Sequence, residues 1–448
     1  MDFELSTFDP IEFPHAAIAI NENKNVFLSN EYDTIYLLNL EYFIARRLFT
    51  AKHHKSSISA PIIKIAIIAI ATGIVMMVVA IATGFGLQDK IREKVSAFNG
   101  NILISNYDDN QSEVSVAPIS INQPFYPKFK DVQGISHVQA VASKAGIIRT
   151  ETAFESAIFK GVGKDYRWDA IKEYIVEGRV PNLMAGLNEE VIISEYLANK
   201  LELKVGAKFN TFFMKEGGNG MPNLRVFKLV GIYNSGFQEF DATFMLGDIR
   251  HVQRINKWKP TQVGSFEVFI DDFEQLQQKG EEVYKSIPST LNSVTIKEKY
   301  VNIFDWLELF DVNIIVIIII MIIVATINMV VALLVLILER TQMVGMLKAL
   351  GANNWSVRKI FLYNAAYLIM KGLMWGNGIS LGLLLIQKYF GVVKLRPENY
   401  YVSVAPVTID IPAILIINAG TVVVCLALLL IPSYIITKIS PVKAIRFE

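Results

Sequence analysis

Glu339-Arg340-Thr341-Gln342-Met343-Val344-Gly345-Met346-Leu347-Lys348-Ala349-Leu350-Gly351-Ala352-Asn353-Asn354-Trp355-Ser356-Val357-Arg358-Lys359 is a short basic segment held between two long apolar ones. Upstream, Asn313–Leu338 is almost wholly apolar, and downstream Ile360–Phe390 is mostly so. About 20 apolar residues carry a helix across a bilayer. The segment must therefore join two membrane helices at one membrane face. Within it Met343, Met346, Leu347 and Leu350 recur at i, i+3, i+4 and i+7, one stripe of a helix. Gly351 follows in the position of a helix-closing cap. A short amphipathic helix here predicts a protein partner, the alternative being a helix that lies on lipid.

The whole composition agrees with a membrane protein. Of 448 residues, 52% are hydrophobic and only 19% charged, too apolar for a soluble domain. A formal net charge of +1 gives no electrostatic reason to expect a nucleic-acid partner. Cys425 is the one cysteine, which excludes an intrachain disulfide and a cysteine-based metal site.

Four spans are predicted: Ile62–Thr83, ended by Gly84-Phe85-Gly86; Asn313–Leu338; Ile360–Phe390, broken by Gly372, Gly376, Gly378 and Gly382; and Ile411–Ile436, with Pro432 near its end. The first apolar run starts near Pro61, too deep for a cleaved signal peptide, so it reads as an uncleaved span. Residues 1–40 read as a weakly ordered extension. Three segments fall on one side of a four-span chain. They carry Arg46, Arg47, Lys52 and Lys55; Arg340, Lys348, Arg358 and Lys359; and Lys438, Lys443 and Arg446. Basic short loops stay cytoplasmic, so both termini are expected inside. His53 and His54 belong to the first basic flank. Lys64 can snorkel from the cytoplasmic end of its span, whereas Lys371 lies deeper.

The other side receives a short loop, 391–410, and a long segment, 84–312, large enough for a folded domain. Strand-like runs at Asn101–Ser105, Ala157–Gly161, Glu190–Ile193, Lys208–Met214, Arg225–Tyr233 and Phe266–Ile270 predict an α+β or α/β fold. Helical patterns lie among them at Glu195–Leu203, Asp248–Asn256, Asp272–Ile287 and Lys299–Phe310. The last runs toward the second span, so domain and membrane helix should be mechanically continuous. Lys215-Glu216-Gly217-Gly218-Asn219-Gly220-Met221-Pro222 reads as a hairpin loop between two strands.

Catalytic motifs are missing from the sequence. The five histidines (His15, His53, His54, His137, His251) form no His-Glu-x-x-His pattern. Gly161-Val162-Gly163-Lys164 lacks the Gly-x-x-x-x-Gly-Lys-[Ser/Thr] spacing that cradles a nucleotide. There is no Gly-x-Ser-x-Gly elbow. The expectation is a non-enzymatic chain with no metal and no cofactor of its own.

The chain resembles the FtsX/MacB-type permeases of ABC transporters over residues 41–448, and within them the lipoprotein-releasing permease subunits of LolC/LolE type. Glu339-Arg340 with Gly345-Met346-Leu347-Lys348-Ala349-Leu350-Gly351-Ala352 is similar to the family's cytoplasmic signature. Phe43-Ile44-Ala45-Arg46-Arg47, Glu177-Gly178-Arg179, Val191-Ile192-Ile193-Ser194, Leu197-Ala198 and Leu203-x-Val205-Gly206 are also similar. So are Val230-Gly231-Ile232, Gly236, Glu239-x-Asp241 and the closing Ile439-Ser440-Pro441-Val442-Lys443-Ala444-Ile445-Arg446.

The resemblance implies a membrane protein with four transmembrane α-helices and a large α+β periplasmic domain between helices 1 and 2. It divides the chain into an N-terminal extension (1–40), a flank with the first span (41–83), the periplasmic domain (84–312) and an FtsX-like permease domain (313–448). The periplasmic domain would be a MacB-like core (85–150 and 263–312) holding an inserted subdomain (151–262). The permease domain would hold spans 313–338, 360–390 and 411–436 with a coupling helix at 341–351. Met343, Met346, Leu347, Lys348, Leu350 and Gly351 would then engage a cytoplasmic ATPase dimer, and ATP would be used by that partner. The resemblance implies a bacterial inner-membrane location and a second permease subunit, identical or paralogous. The cargo would be a lipoprotein, held by its acyl chains between first spans and passed to a periplasmic carrier. The 215–222 hairpin stands where one branch of the family carries a hook for that carrier. Gly217, Gly218, Asn219, Gly220, Met221, Pro222 and Arg225 are thus the implied partner-binding residues. Two alternatives stay open: a MacB-like exporter of peptides or small molecules, and an FtsX-like relay that transports nothing and activates wall hydrolases.

Overall fold

A computed structural model describes residues 19–20, 26–27, 40–50, 59–109, 112–184, 186–214 and 221–439. The weakly ordered extension expected at 1–40 and the closing segment after Ile439 fall almost wholly outside the described residues. Lys52, His53, His54 and Lys55 of the first basic flank lie outside them too. Among the described residues, four helices are long and apolar enough to cross a membrane. In chain order the helices that bear on the site are α1 (Leu40–Thr50), α2 (Ser59–Asn99), α3 (Glu195–Lys200), α4 (Ile249–Ile255), α5 (Leu276–Ser286), α6 (Val301–Glu339), α7 (Thr341–Ala349), α8 (Asn354–Phe390), α9 (Ile411–Ser433) and α10 (Ile435–Lys438).

Two expectations about the spans are corrected. Gly84-Phe85-Gly86 does not end the first helix, which runs unbroken to Asn99. The four glycines do not break the third, which is one helix, α8. The physical reason is the same in both. Gly84, Gly86, Gly372 and Gly376 give up a side chain so that a neighbour can approach, which membrane helices use freely, whereas Gly378 and Gly382 face open space. A Cβ on Gly84 would collide with Cδ1 of Ile314, and one on Gly86 would stand 2.7 Å from the Pro406 carbonyl oxygen. Gly372 and Gly376 of α8 meet Ile70 and Ile74 of α2 in the same way.

At 41 and 39 residues, α2 and α6 are each about 60 Å long, twice the thickness of the hydrocarbon core. The half of each next to the α+β domain is therefore not membrane helix but part of that domain. On α2, Leu87, Ile91 and Val95 recur every four residues and are buried. On α6, Ile303, Phe304 and Leu307, at i, i+1 and i+4, are buried as well. All six enter one core with Ile102, Phe266, Val268, Leu276, Val283 and Leu291 of the α+β domain. At 1.5–3 kcal/mol for a fully buried large apolar side chain, they contribute roughly 10 kcal/mol to holding helices and domain as one body. Gln88 Nε2 donates to Asp311 Oδ1 of α6 at 2.8 Å, and the OH of Tyr300, the residue before α6, donates to Asn99 Oδ1 at 2.8 Å, adding polar ties to α2.

The domain is built on a ten-stranded sheet. Its strands are β1 (Ile102–Asn106), β2 (Ile135–Arg149), β3 (Phe154–Val162), β4 (Ile175–Gly178), β5 (Glu190–Ser194), β6 (Lys208–Phe213), β7 (Asn223–Tyr233), β8 (Phe244–Asp248), β9 (Ser265–Ile270) and β10 (Leu291–Thr295). The order is β10-β1-β9-β2-β3-β8-β5-β7-β4, with β6 pairing both β7 and β2. That double pairing closes β2, β3, β8, β5, β7 and β6 into a six-stranded ring. Phe213 of β6 sits opposite Gly146 of β2 on one side and Asn223 of β7 on the other. The ring is filled by Phe159, Phe209, Phe213, Phe227, Val191, Ile193 and Met245. Phe159 stacks on Phe227 at 5.1 Å between ring centroids, with Phe213 edge-on to both. Offset stacks and edge contacts of this kind add to simple burial. Strands β1, β9 and β10 extend the sheet beyond the ring, over the core that α2 and α6 enter.

Candidate coupling site

The described residues fall into two compact units. One comprises 19–20, 26–27, 40–50, 59–66, 329–369 and 426–439; the other comprises 67–328, apart from the undescribed residues, and 370–425. The signature segment lies in the first.

There the helix α7 follows α6 after one residue, Arg340. Val344 and Gly345 are buried and Lys348 is turned inward. The opposite side carries Met346, 49% exposed, and Leu350, 85% exposed, flanked by half-buried Met343 and Leu347. The stripe predicted from spacing is thus the outward face of the helix, and the small residue Gly345 lies on the inward one.

Gly351 ends the helix with φ +91°, a conformation that costs glycine nothing. Its N–H donates to the Lys348 carbonyl at 3.0 Å, and the Ala352 N–H donates to the Leu347 carbonyl at 3.0 Å. These two bonds satisfy the last carbonyls in the Schellman manner. The cap fixes where the chain leaves α7, one residue after the most exposed apolar side chain.

Lys348 reaches toward the end of α10. Its Nζ donates to the carbonyl oxygens of Ile436 at 2.6 Å, Ile439 at 2.9 Å and Thr437 at 3.3 Å. These are carbonyls at the end of α10, where a cation is favoured. Burial pushes its ammonium below the usual lysine range. Arg358 adds a second tie, donating to Ser433 Oγ at 3.0 Å and to the Leu430 carbonyl at 2.9 Å. From the other flank, Ser356 Oγ donates to Glu41 Oε1 of α1 at 2.9 Å, and Tyr42 meets Tyr363 edge-on at 5.9 Å. Basic residues of 339–359 thereby fasten α7 and the start of α8 to the ends of α9 and α10.

In the second unit, the domain residues with family-like spacing meet at one corner. Ser194 caps α3, accepting from the Leu197 N–H at 3.0 Å, while its hydroxyl donates to the Asp241 carbonyl. The Asp241 carboxylate accepts from Ser235 Oγ at 2.7 Å, Ser235 N–H at 3.1 Å and Gly236 N–H at 3.2 Å. Burial pushes that carboxyl up, and the three donors work against the shift. Farther along, Arg179 pairs with Glu190 through both guanidinium nitrogens, which holds Glu190 down at about 2.

The hairpin residues are placed in part. Met221 is 86% exposed, Pro222 is exposed, and Arg225 lies in β7, half-buried. Gly217, Gly218, Asn219 and Gly220 lie outside the described residues. Lys64 is exposed on α2 and Lys371 half-buried on α8. Among the described residues no three histidine, cysteine or acidic side chains cluster as metal ligands would. Sequence reasoning missed the order in the 391–410 loop, which Gln387 of α8 ties down. It also missed the amide pair of Asn377 and Asn418 between α8 and α9. A pair of asparagines inside apolar spans was the available signal.

Residues 315–441 match the FtsX-like permease C-terminal family, and residues 65–283 match the MacB-like periplasmic core domain. The chain is 22% identical over 450 residues to the lipoprotein-releasing system transmembrane protein LolC of Neisseria meningitidis serogroup B, spanning 92% of this chain and 100% of that one. It is 20% identical over 430 residues to the lipoprotein-releasing system transmembrane protein LolE of Haemophilus influenzae, spanning 91% and 99%. The extracellular domain of the ABC-type transporter YknZ from Gram-positive bacteria is 17% identical over 44% of this chain and 100% of that chain, with a TM-score of 0.30. With three of its four membrane-length helices and the signature helix in the first match, and the other helix and most of its α+β domain in the second, the chain belongs to the FtsX/MacB-type family of ABC transporter permeases.

Proposed function

We propose that this chain is the permease subunit of a lipoprotein-releasing ABC transporter in a bacterial inner membrane. In this reading its termini are cytoplasmic and the α+β domain is periplasmic. A cytoplasmic ATPase dimer docks on Met343, Met346, Leu347 and Leu350, and the chain itself binds no nucleotide. A second permease subunit completes the transporter.

One observation carries the mechanism. Helix α6 runs without interruption from the domain core at Ile303, Phe304 and Leu307 to Glu339, one residue before α7. A rigid rod with a docking helix at one end and a domain at the other passes displacement between them. Closure of the ATPases would push α7, tilt α6 and reshape the domain. Removing acyl chains from a bilayer costs about 0.8 kcal/mol per CH₂. Three chains exposed to water would cost tens of kcal/mol, beyond what a nucleotide supplies. The lipid must therefore pass from one apolar shelter to another, the second belonging to a carrier. The exposed Met221 and the neighbouring 215–222 hairpin are the place we assign to that carrier.

Full chain and ATPase reconstituted in liposomes with a fluorescent triacylated protein test the reading. ATP with an acceptor carrier should release the protein. Retention of the protein with ATP hydrolysis intact would exclude lipoprotein release.

A further inference from the structure

Residues 391–410 link α8 to α9 and are not a slack loop. Gln387 of α8, itself buried, ties their base. It donates to the Ala405 carbonyl at 2.9 Å and the Val393 carbonyl at 3.2 Å, and it accepts from the Val393 N–H at 2.8 Å. Leu395 N–H donates to the Ser403 carbonyl and Ala405 N–H to the Val393 carbonyl, both at 3.0 Å, so the two arms form a hairpin. The returning arm runs along α2. Thr408 N–H donates to the Ala82 carbonyl at 3.0 Å, and Thr408 Oγ1 donates to Asp89 Oδ2 at 3.1 Å.

The tip is embedded in the domain. Val402 belongs to the core that α2 and α6 enter, with Leu395 and Tyr401 packed against it. The Tyr401 ring stacks on Phe237 at 4.6 Å and meets Trp306 of α6 edge-on at 5.4 Å. Tyr401 holds this place at φ +59°, a conformation uncommon for a residue with a side chain. Its carbonyl accepts from Lys94 Nζ of α2 at 2.9 Å, and Lys94 also donates to the Ser235 carbonyl at 2.9 Å. Lys94 is only 9% exposed and lies 5.5 Å from the centre of the Tyr174 ring. A buried ammonium must find acceptors or cost stability. Here it finds one on the hairpin and one on the domain, so a single side chain pins three elements together. Gly236 admits this approach, since a Cβ there would stand 2.8 Å from the Tyr401 carbonyl oxygen.

We propose that the 391–410 hairpin is a strut that carries movement of α8 and α9 into the outer domain, with Lys94 and Tyr401 as its positioning residues. The strut rests on the permease reading and adds to it a second mechanical path, beside α6. It works as a rigid body, because core burial, ring stacking and three hydrogen bonds to α2 all hold the same 20-residue hairpin. It stays closed through the cycle.

The test uses the full chain in lipid nanodiscs with its ABC ATPase, in a Cys425→Ala background that removes the lone cysteine. Hydrogen exchange in β1 and β9 is measured with and without ATP, alongside ATPase binding. Lys94→Met should cut the ATP-induced change in those strands at least threefold while ATPase binding stays within twofold. An Asp89→Cys, Thr408→Cys pair, oxidised, should leave the parent response intact and restore it in Lys94→Met, and reduction should abolish the rescue. A full response in Lys94→Met, or loss of response when the pair is oxidised in the parent, would overturn the strut. Should no ATPase bind the parent chain, the permease reading fails, and the strut is decided by exchange alone. Amides of 393–405 and 234–241 must then open together in the parent and separately in Lys94→Met; separate opening in the parent overturns it.

Discussion

Nζ of Lys348 lies 2.6 Å from the carbonyl oxygen of Ile436, so the most family-like lysine of the signature segment caps a helix of its own chain. Bonds from a charged donor contribute about 2 kcal/mol each when their partners are shielded. Lys348→Met should release the end of α10 and speed hydrogen exchange at 435–439 by at least tenfold. ATPase binding should fall less than threefold, because the outward stripe keeps its side chains. A loss of binding as deep as that of a stripe variant would place Lys348 in the ATPase contact.

The amides of Asn377 and Asn418 exchange two hydrogen bonds, at 3.0 and 3.1 Å, between α8 and α9. Interhelical bonds in membranes contribute about 0.6–1.7 kcal/mol, and a lone partner left in hydrocarbon adds its own penalty. Asn377→Leu should therefore destabilise the chain more than Asn377→Leu with Asn418→Leu does. Thermal unfolding in detergent separates the two. A double variant no better than the single one would show that the amides do not act as a pair.

Arg179 holds Glu190 down at about 2, well below the ordinary carboxylate value near 4.5. A lowered pKa in the folded state gives stability that is present above the unfolded value and lost as pH falls. The loss should run from about 4.5 to about 2. Since the Arg179 side chain is 56% exposed, solvent screening limits the effect to about 1 kcal/mol. Unfolding followed from pH 5 to pH 2 should show a shallower acid loss for Glu190→Gln than for the parent. Identical acid profiles would remove the pair from the stability account.

The α7 stripe was legible because four apolar residues at helical spacing in a basic loop fit one face of a short helix and little else. The continuity of α6 was legible in the helical pattern at 299–310. Strand β2 was not, although at 15 residues it is the longest of the sheet. Its Ile-Ser-His-Val-Gln-Ala-Val-Ala-Ser-Lys-Ala-Gly-Ile-Ile-Arg lacks clean alternation, because it pairs with β9, β3 and β6 in turn and has both faces covered over its middle. Gly84, Gly86, Gly372 and Gly376 were misread as breaks because their neighbours come from distant parts of the chain. Lys94 gave no signal for the same reason. Its acceptors lie 141 and 307 residues away, and backbone carbonyls carry no sequence signature.

The central claim is that the outward face of α7 receives the ATPase, and binding of the purified chain to that ATPase measures it. Met346→Glu and Leu350→Glu place charges on side chains already facing out, so folding should be unaffected. Each should weaken ATPase binding at least tenfold, while Gln342→Glu, exposed beside the stripe, should change it less than threefold. Equal affinity of the parent, Met346→Glu and Leu350→Glu chains for the ATPase would contradict the account.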